Sequence, residues 1–174
     1  MEFKILNYNY FLGEKMKAIY LFLLASLIGI EISIGVFLAP TIFYPAKFIG
    51  EGVLSHFQSG LLMTHIFVQF GYILLGVSIL SILMEIFSFK DKNLTFKINF
   101  SKFMLSLIIL ALSLLFVFYF TAYVLEAQSL GEEATKTQEF TKIHGASEIV
   151  MKIIMLSQVI LFFLNFKTKS DIIK

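Results

Sequence analysis

Four apolar stretches separated by polar links constrain this chain more than any other feature. They cover about residues 18–39, 60–87, 103–125 and 145–166. A transmembrane helix needs roughly 20 consecutive, largely apolar residues, and each stretch reaches that length. Of the 174 residues, 58% are hydrophobic and 15% are charged, whereas a soluble domain carries about 25% charged residues. The sequence therefore predicts an all-α integral membrane bundle of four helices, surrounded by a lipid bilayer.

The lysines predict the orientation of this bundle. Cytoplasmic links of membrane proteins carry an excess of Lys and Arg, and ten lysines fall on one predicted side: Lys4, Lys15, Lys17, Lys90, Lys92, Lys97, Lys102, Lys167, Lys169 and Lys174. We therefore expect both termini in the cytoplasm, with residues 1–17 and 167–174 as cytoplasmic segments and 18–166 as the membrane domain. The Lys-, Ile- and Phe-rich composition favours the cytoplasmic (inner) membrane of a bacterium. A cleaved signal peptide is the alternative for the first span, but its apolar run is long and contains Glu31.

Several function classes are disfavoured by composition. The chain has no cysteine, so disulfides, thiol catalysis and Cys-ligated metal sites are excluded. A net charge of +2 does not indicate a nucleic-acid partner. The chain also lacks the G-x-S-x-G, H-E-x-x-H and phosphate-loop motifs of soluble enzymes. A non-enzymatic membrane protein is the favoured interpretation.

Small residues predict how the spans pack, because membrane helices associate through small and polar side chains. Ala25, Gly29 and Ser33 form a ridge on the first span, which we expect to face the bundle. Pro40 is expected to end the first helix. The third span has few mid-span polar groups, so we expect it to be the most lipid-exposed.

Two opposite charges lie at one predicted depth. Glu31 and Lys152 each lie eight residues from the outer end of a span, which is about 12 Å. An isolated charge there costs at least about 2.5–3.5 kcal/mol, so we predict that they pair, with Glu148 one turn from Lys152 sharing the cation. Glu85, at the inner end of the second span, is expected to reach water or Lys90.

The fourth span begins with a polar stripe in the run "FTKIHGASEIVMKIIM", residues 140–155. Its ionisable residues are spaced by four, so they share one helical face. A second such face, His65 and Gln69, lies in the outer half of the second span, with Tyr72 below it. We predict that these faces enclose an outward-facing polar pocket. The candidate pocket residues are Glu31, His65, Gln69, Tyr72, His144, Ser147, Glu148 and Lys152.

Three functions fit such a pocket. The first is handling of a small solute or a metal ion, for which four helices would need to form a homo-oligomer. The second is a cofactor site: His65 and His144 could ligate haem b, or, with Met63, Met151 or Met155, copper(I), which favours thioethers. The third is a structural subunit, in which a Glu–Lys pair fixes helix register and His144 is an ordinary interfacial residue.

Three short motifs resemble the transmembrane protein 205-like family, a set of small four-helix membrane proteins of unknown function. They are "GVFLAPTIF" at 35–43, "FQSGLLMTHIF" at 57–67 and "FTKIHGAS" at 140–147. The chain departs from the family at Met151, where an Asn is usual. More distantly, the layout is similar to copper-resistance D-type and haem-binding small membrane proteins. The resemblance implies that the positions to examine are Gln58, Ser59, Phe140, His144, Gly145 and Ser147.

Overall fold

The computed structural model describes residues 2–89 and 95–170, and the side chains within 13–89 and 95–167. Four long helices, α1 to α4, dominate these residues. Helix α1 comprises Glu2–Ser33, a π-helical segment Ile34–Leu38 and Ala39–Phe43; α2 is His56–Ser88; α3 comprises Phe96–Leu115, a π-helical segment Phe116–Thr121 and Ala122–Ser129; α4 is Gln138–Ser170. Short turns of helix lie at Ala46–Ile49 and Glu132–Lys136. Lys90, the predicted neighbour of Glu85, lies outside the described residues.

Each long helix contains an apolar part long enough to cross a membrane. These parts are Gly13–Phe43, His56–Ser88, Phe96–Ser129 and Gln138–Lys167. They contain the four predicted spans, which confirms the all-α, four-helix membrane fold. The helices extend beyond the apolar spans because backbone hydrogen bonding continues through polar residues; α2, for example, starts at a capping box between Ser55 and Gln58.

The helices pack in chain order around one core. Helix α2 contacts α1 and α3, and α4 contacts α3 and α1, so the arrangement closes on itself. Buried residues recur at alternating spacings of three and four, which places one continuous stripe of each helix toward its neighbours. On α1 this stripe is Tyr20, Leu24, Leu27, Glu31 and Ile34. Glu31 therefore lies on the inner face of its helix.

The expected end of the first helix at Pro40 is wrong. Helical structure continues to Phe43, and the amide of Tyr44 donates to the Pro40 carbonyl at 3.0 Å. Pro40 follows the π-helical segment, in which the Ala39 amide donates to the Ile34 carbonyl, five residues back. Proline lacks an amide proton and its ring crowds the preceding turn. A wider π-helical turn relieves that crowding, so the helix passes the proline.

The small-residue ridge of α1 does not face the bundle. Ala25, Gly29 and Ser33 are all exposed, and a Cβ atom added at Gly29 would meet nothing within 4 Å. The core is instead filled by leucines on the other face of the helix. The expectation that this ridge packs against a neighbouring helix of the same chain is wrong.

Helix α3 is not more exposed than the others, contrary to expectation. Ser106 and Ser113 are completely buried, and the Ser113 hydroxyl lies 3.1 Å from that of Ser78 on α2. A Cβ atom added at Gly71 would come within 3.0 Å of Val117, so the two helices approach closely there. Serines that could have bonded only their own backbone also form part of the α2–α3 contact.

A buried polar cluster joins all four helices at the inner end of the bundle, which is the end next to the link between α2 and α3. We name it the Glu85 cluster; it comprises Tyr20, Glu85, Ser88, Lys102 and Asn165. Lys102 Nζ lies 3.0 Å from Glu85 Oε2, and both residues are 1% exposed. The Asn165 amide donates to Glu85 Oε1 at 2.7 Å, and the Tyr20 hydroxyl lies 3.5 Å from the same oxygen. Lys102 also donates to Ser88 at 2.9 Å. The expectation that Glu85 reaches water is wrong, because its buried carboxylate turns inward to a lysine of the next helix.

Removing one charge of this pair should destabilise the protein strongly. Breaking a buried ion pair leaves an uncompensated charge and typically costs about 3–5 kcal/mol, whereas replacing both partners costs far less. We expect Glu85→Gln and Lys102→Met each to lower the free energy of unfolding by that order, and the double variant to recover part of the loss. Reversible unfolding in mixed micelles would measure this. Exposed Lys97 of the same helix supplies the control, Lys97→Met, and a loss there equal to that of Lys102→Met would contradict the account.

Candidate functional site

The outer half of the bundle is more open than the inner half; here the outer half means the part next to the links 44–55 and 130–137. Helix α1 contacts α4 through its segment Glu2–Ser33, whereas Ala39–Phe43 packs on α2. The Ser59 hydroxyl of α2 donates to the Ile42 carbonyl at 2.7 Å, which holds this end of α1 against α2. A cavity of about 560 Å³ lies between the outer halves of the helices.

The cavity wall is predominantly apolar and includes both π-helical segments. Because a π-helical turn shifts the side chains that follow it, such turns often occur at functional sites. Here both segments border the same space from opposite helices. The apolar lining includes Ile34, Met63, Phe67, Phe116, Phe120 and Met155.

Glu31 is the buried acidic group in the cavity wall. Its side chain is 7% exposed, and neither carboxylate oxygen has a hydrogen-bond partner among the described residues. The Gln158 amide of α4 is completely buried next to the Glu31 carboxyl, but neither side chain completes a hydrogen bond of good geometry within the described residues. Leaving a buried polar group unsatisfied costs about 1–3 kcal/mol, and more for a charged one. Burial of Glu31 and Gln158 without hydrogen bonds therefore lowers the stability of the outer half.

The stripe on α4 forms one edge of this cavity. His144 Nε2 lies 3.6 Å and Lys152 Nζ 3.7 Å from the Glu148 carboxylate, so Glu148 contacts the lysine without sharing it with Glu31. The predicted pair between Glu31 and Lys152 is not formed. Helix α4 turns Ile154 inward, and Lys152 lies about 200° around the helix from it. The side chain of Lys152 is consequently 71% exposed.

The predicted face of α2 lies elsewhere. His65 and Gln69 are exposed and contact each other at 3.1 Å between their Nε2 atoms, and Tyr72 is 71% exposed. None of the three lines the cavity. The four-residue spacing correctly predicts a shared face, but Met63 and Thr64 occupy the inward positions of this turn. The expectation that the His65–Gln69 face opposes the α4 stripe is wrong.

This placement also separates the two histidines considered for haem ligation. His144 lines the cavity, whereas His65 points away from the core. Across the described ranges, no group of three or more His, Cys, Asp or Glu residues is arranged to hold a metal ion. The axial pair His65–His144 is therefore not assembled in this fold.

Half of the motif residues line the cavity. Phe140 stacks on His144 with ring centroids 5.8 Å apart and planes inclined by 8°, and it also stacks on Tyr123. The Ser147 hydroxyl donates to the His144 carbonyl at 2.6 Å. Phe140, His144 and Ser147 lie in the cavity wall.

The other motif residues serve local structure. Gln58 completes the capping box of α2, and Ser59 binds the Ile42 carbonyl. A Cβ atom at Gly145 would meet nothing within 4 Å, so no close approach requires this glycine. The short motifs thus mix cavity residues with helix-terminal residues.

A polar contact that the sequence did not indicate lies in the cavity wall. The Gln128 side chain of α3 donates to the Thr64 hydroxyl of α2 at 2.9 Å, and both residues line the cavity. Gln128 lies beyond the predicted third span, about 103–125, so the hydropathy pattern alone places it in the link that follows. The preceding residue, Ala127, is 8% exposed. The spacing of three and four residues between buried positions on α3 continues to Ala127, and following it beyond the apolar span would have placed this turn in the bundle.

The link beside the cavity mouth carries an exposed charge cluster. Lys136 Nζ lies 2.8 Å from Glu133 and 3.1 Å from Glu132. The hydrogen bond to Glu133, assisted by Glu132, raises the pKa of the lysine. Lys136 therefore stays protonated at neutral pH and remains paired with the two glutamates of this link.

The fold defines the class to which this protein belongs: it is a small, multi-pass integral membrane protein built from four helices. The chain belongs to the family described as domain of unknown function (DUF4149), whose model matches residues 22–133. That match covers most of α1, all of α2 and α3 and part of the link beyond. It ends before α4, which contributes the His144–Lys152 stripe. No curated protein and no solved structure matches the chain.

The separation of Glu31 from Lys152 makes a quantitative prediction. Residues without a shared partner give additive stability changes, within about 0.3–0.5 kcal/mol. We expect the losses of unfolding free energy in Glu31→Gln and Lys152→Met to add in the double variant. The comparison cycle is Glu148→Gln with Lys152→Met, where an exposed i,i+4 pair should couple by at most about 0.3–0.5 kcal/mol. Coupling above about 1 kcal/mol between Glu31 and Lys152 would restore the direct pair and refute this geometry.

Proposed function

We propose that this protein binds a small, largely apolar molecule in the cavity of its outer half and handles it as a non-enzymatic membrane protein. The observation that carries the proposal is Glu31, a buried carboxylate on the cavity wall without a partner in the described part of the chain. A polar group held in this state is explained by a ligand that satisfies it, because intramembrane ionisable residues are rare and usually functional.

The size and lining of the cavity support this function. Small-molecule sites typically occupy about 300–1,000 Å³ and combine apolar walls with a few well-placed polar groups. The cavity of about 560 Å³ falls in that range. Its polar groups come from different helices: Glu31 from α1, Thr64 from α2, Gln128 from α3 and His144 from α4.

The proposal includes orientation and assembly. The lysine distribution supports a cavity that opens to the outside of a bacterial cytoplasmic membrane. The exposed ridge of Ala25, Gly29 and Ser33 is the kind of surface through which membrane helices associate, which supports a homo-oligomer.

The proposal also extends the family relationship to the transmembrane protein 205-like proteins. Its support is that Phe140, His144 and Ser147, the motif residues beyond the matched segment 22–133, line the same cavity.

Thiol labelling tests the open cavity directly, because the chain has no natural cysteine. We expect Met151→Cys and Met155→Cys to react with a small, membrane-impermeant thiosulfonate added outside, since both positions line the cavity. Leu156→Cys is the matched control: it is next to Met155, is 61% exposed, and does not line the cavity. It should stay unreactive in lipid.

Thr137→Cys, in the exposed outer link, reports the orientation in the same assay. Its labelling from outside is expected at least as fast as that of the cavity positions. If Met151→Cys and Met155→Cys react no faster than Leu156→Cys while Thr137→Cys reacts, the cavity is closed to water and the proposed function fails.

Copper(I) handling is a second candidate, favoured by one observation. Met63, Met151 and Met155 line the cavity together with His56 and His144, and copper(I) prefers thioether and imidazole ligands. Protein purified from copper-replete cells would then contain about one copper per chain, and the variant Met151→Leu/Met155→Leu would lose it. Metal analysis at the level of a detergent blank would reject this candidate, and the absorption spectrum of the same sample would report any haem.

A further inference from the structure

We propose that the ligand is an amphiphilic amine, with an ammonium group at Glu31 and an apolar chain along the cavity wall. This inference rests on the proposed function, and it specifies the chemical class of the molecule that the cavity accepts.

The first argument is the chemistry of the unpartnered groups. Both oxygens of the Glu31 carboxylate accept hydrogen bonds and neither does so from a described residue. An ammonium carries three donors and a positive charge, so one group satisfies the carboxylate and compensates its charge. Hydrogen bonds between charged groups are about twice as strong as neutral ones. A neutral ligand supplies no charge to compensate an ionised Glu31, and an anion would be repelled by it.

The second argument is the position of the protein's own cation. Lys152 lines the same cavity, but its ammonium lies 3.7 Å from Glu148 and points out of the core. Glu148 and His144 occupy the same edge. Thus the exposed stripe on α4 is paired within itself. The buried Glu31 carboxylate is left for a cation that comes from outside the chain.

The third argument is the shape of the path to Glu31. The outer end of α1 leans on α2, and α4 contacts α1 only along Glu2–Ser33 among the major contacts of the described helices. Glu31 lies near the end of that contact, and the apolar side chains of Ile34, Phe116 and Phe120 line the same cavity. A chain of methylene groups that follows the ammonium would contact these apolar side chains, at about 0.8 kcal/mol for each buried methylene.

The assay uses full-length Met155→Cys protein in lipid nanodiscs, with decylamine, decanol and decanoate as probes of equal chain length. Decylamine is expected to slow thiosulfonate labelling of Met155→Cys at least tenfold at a sub-lytic concentration. Decanol and decanoate should change the rate less than twofold. In Glu31→Gln/Met155→Cys, tenfold more decylamine should be needed for the same protection.

The matched control is Glu139→Gln/Met155→Cys, in which an exposed acid of the same helix that does not line the cavity is removed; its protection by decylamine should stay within twofold of the parent. Labelling of Thr137→Cys in the same nanodiscs corrects for the surface charge that decylamine adds to the bilayer. Labelling of Glu31→Gln/Met155→Cys without amphiphile shows that the cavity has formed in that variant.

The outcomes separate this inference from the proposed function. Labelling of Met155→Cys that is protected equally by all three amphiphiles, by none, or by decylamine regardless of Glu31 overturns the amine assignment and leaves an open cavity. A Met155→Cys protein that does not label at all overturns the open cavity, and the amine site falls with it.

Discussion

The Glu85–Lys102 ion pair is the interaction on which the arrangement of the four helices depends. In a bilayer no water is available to solvate a charge, so acid and base must meet inside the protein. Their contact at 3.0 Å, extended by Asn165 and Tyr20, fixes the rotation of each helix at the inner end of the bundle. The inner half is therefore stabilised by an ion pair as well as by packing. This stability allows the outer half to contain a cavity.

The outer half contrasts with this ion-paired cluster. Glu31 lies on the same inward stripe of α1 as Tyr20, yet no described basic residue reaches it. One end of the protein has a buried acid–base pair, and the other has a buried acid without such a pair, on the wall of a cavity. This asymmetry, rather than the histidines, gives the protein its most specific chemical feature and is the basis of the amine site that we propose.

Much of the fold could be predicted from the sequence, because a bilayer allows few alternatives. Long apolar runs must form helices there, and the four predicted spans all lie within the four long helices. The partners could not be predicted. Spacing shows that His65 and Gln69 share a face, but not that this face is turned outward, because both faces of a membrane helix are apolar. For the same reason the sequence indicated Lys102 only as a charge that sets the membrane orientation, not as the partner of Glu85. It also predicted that the Ala25–Gly29–Ser33 ridge faces the bundle, whereas the ridge is exposed.

By itself, the sequence determined that this protein is a bundle of four membrane helices with charged groups at two depths, because the length and hydropathy of each segment are local properties. Only the tertiary structure decided which charges meet. The rotation of each helix about its axis depends on the sum of its contacts with its neighbours. That rotation brought Lys102 to Glu85, turned Lys152 away from Glu31, and left Glu31 facing a cavity.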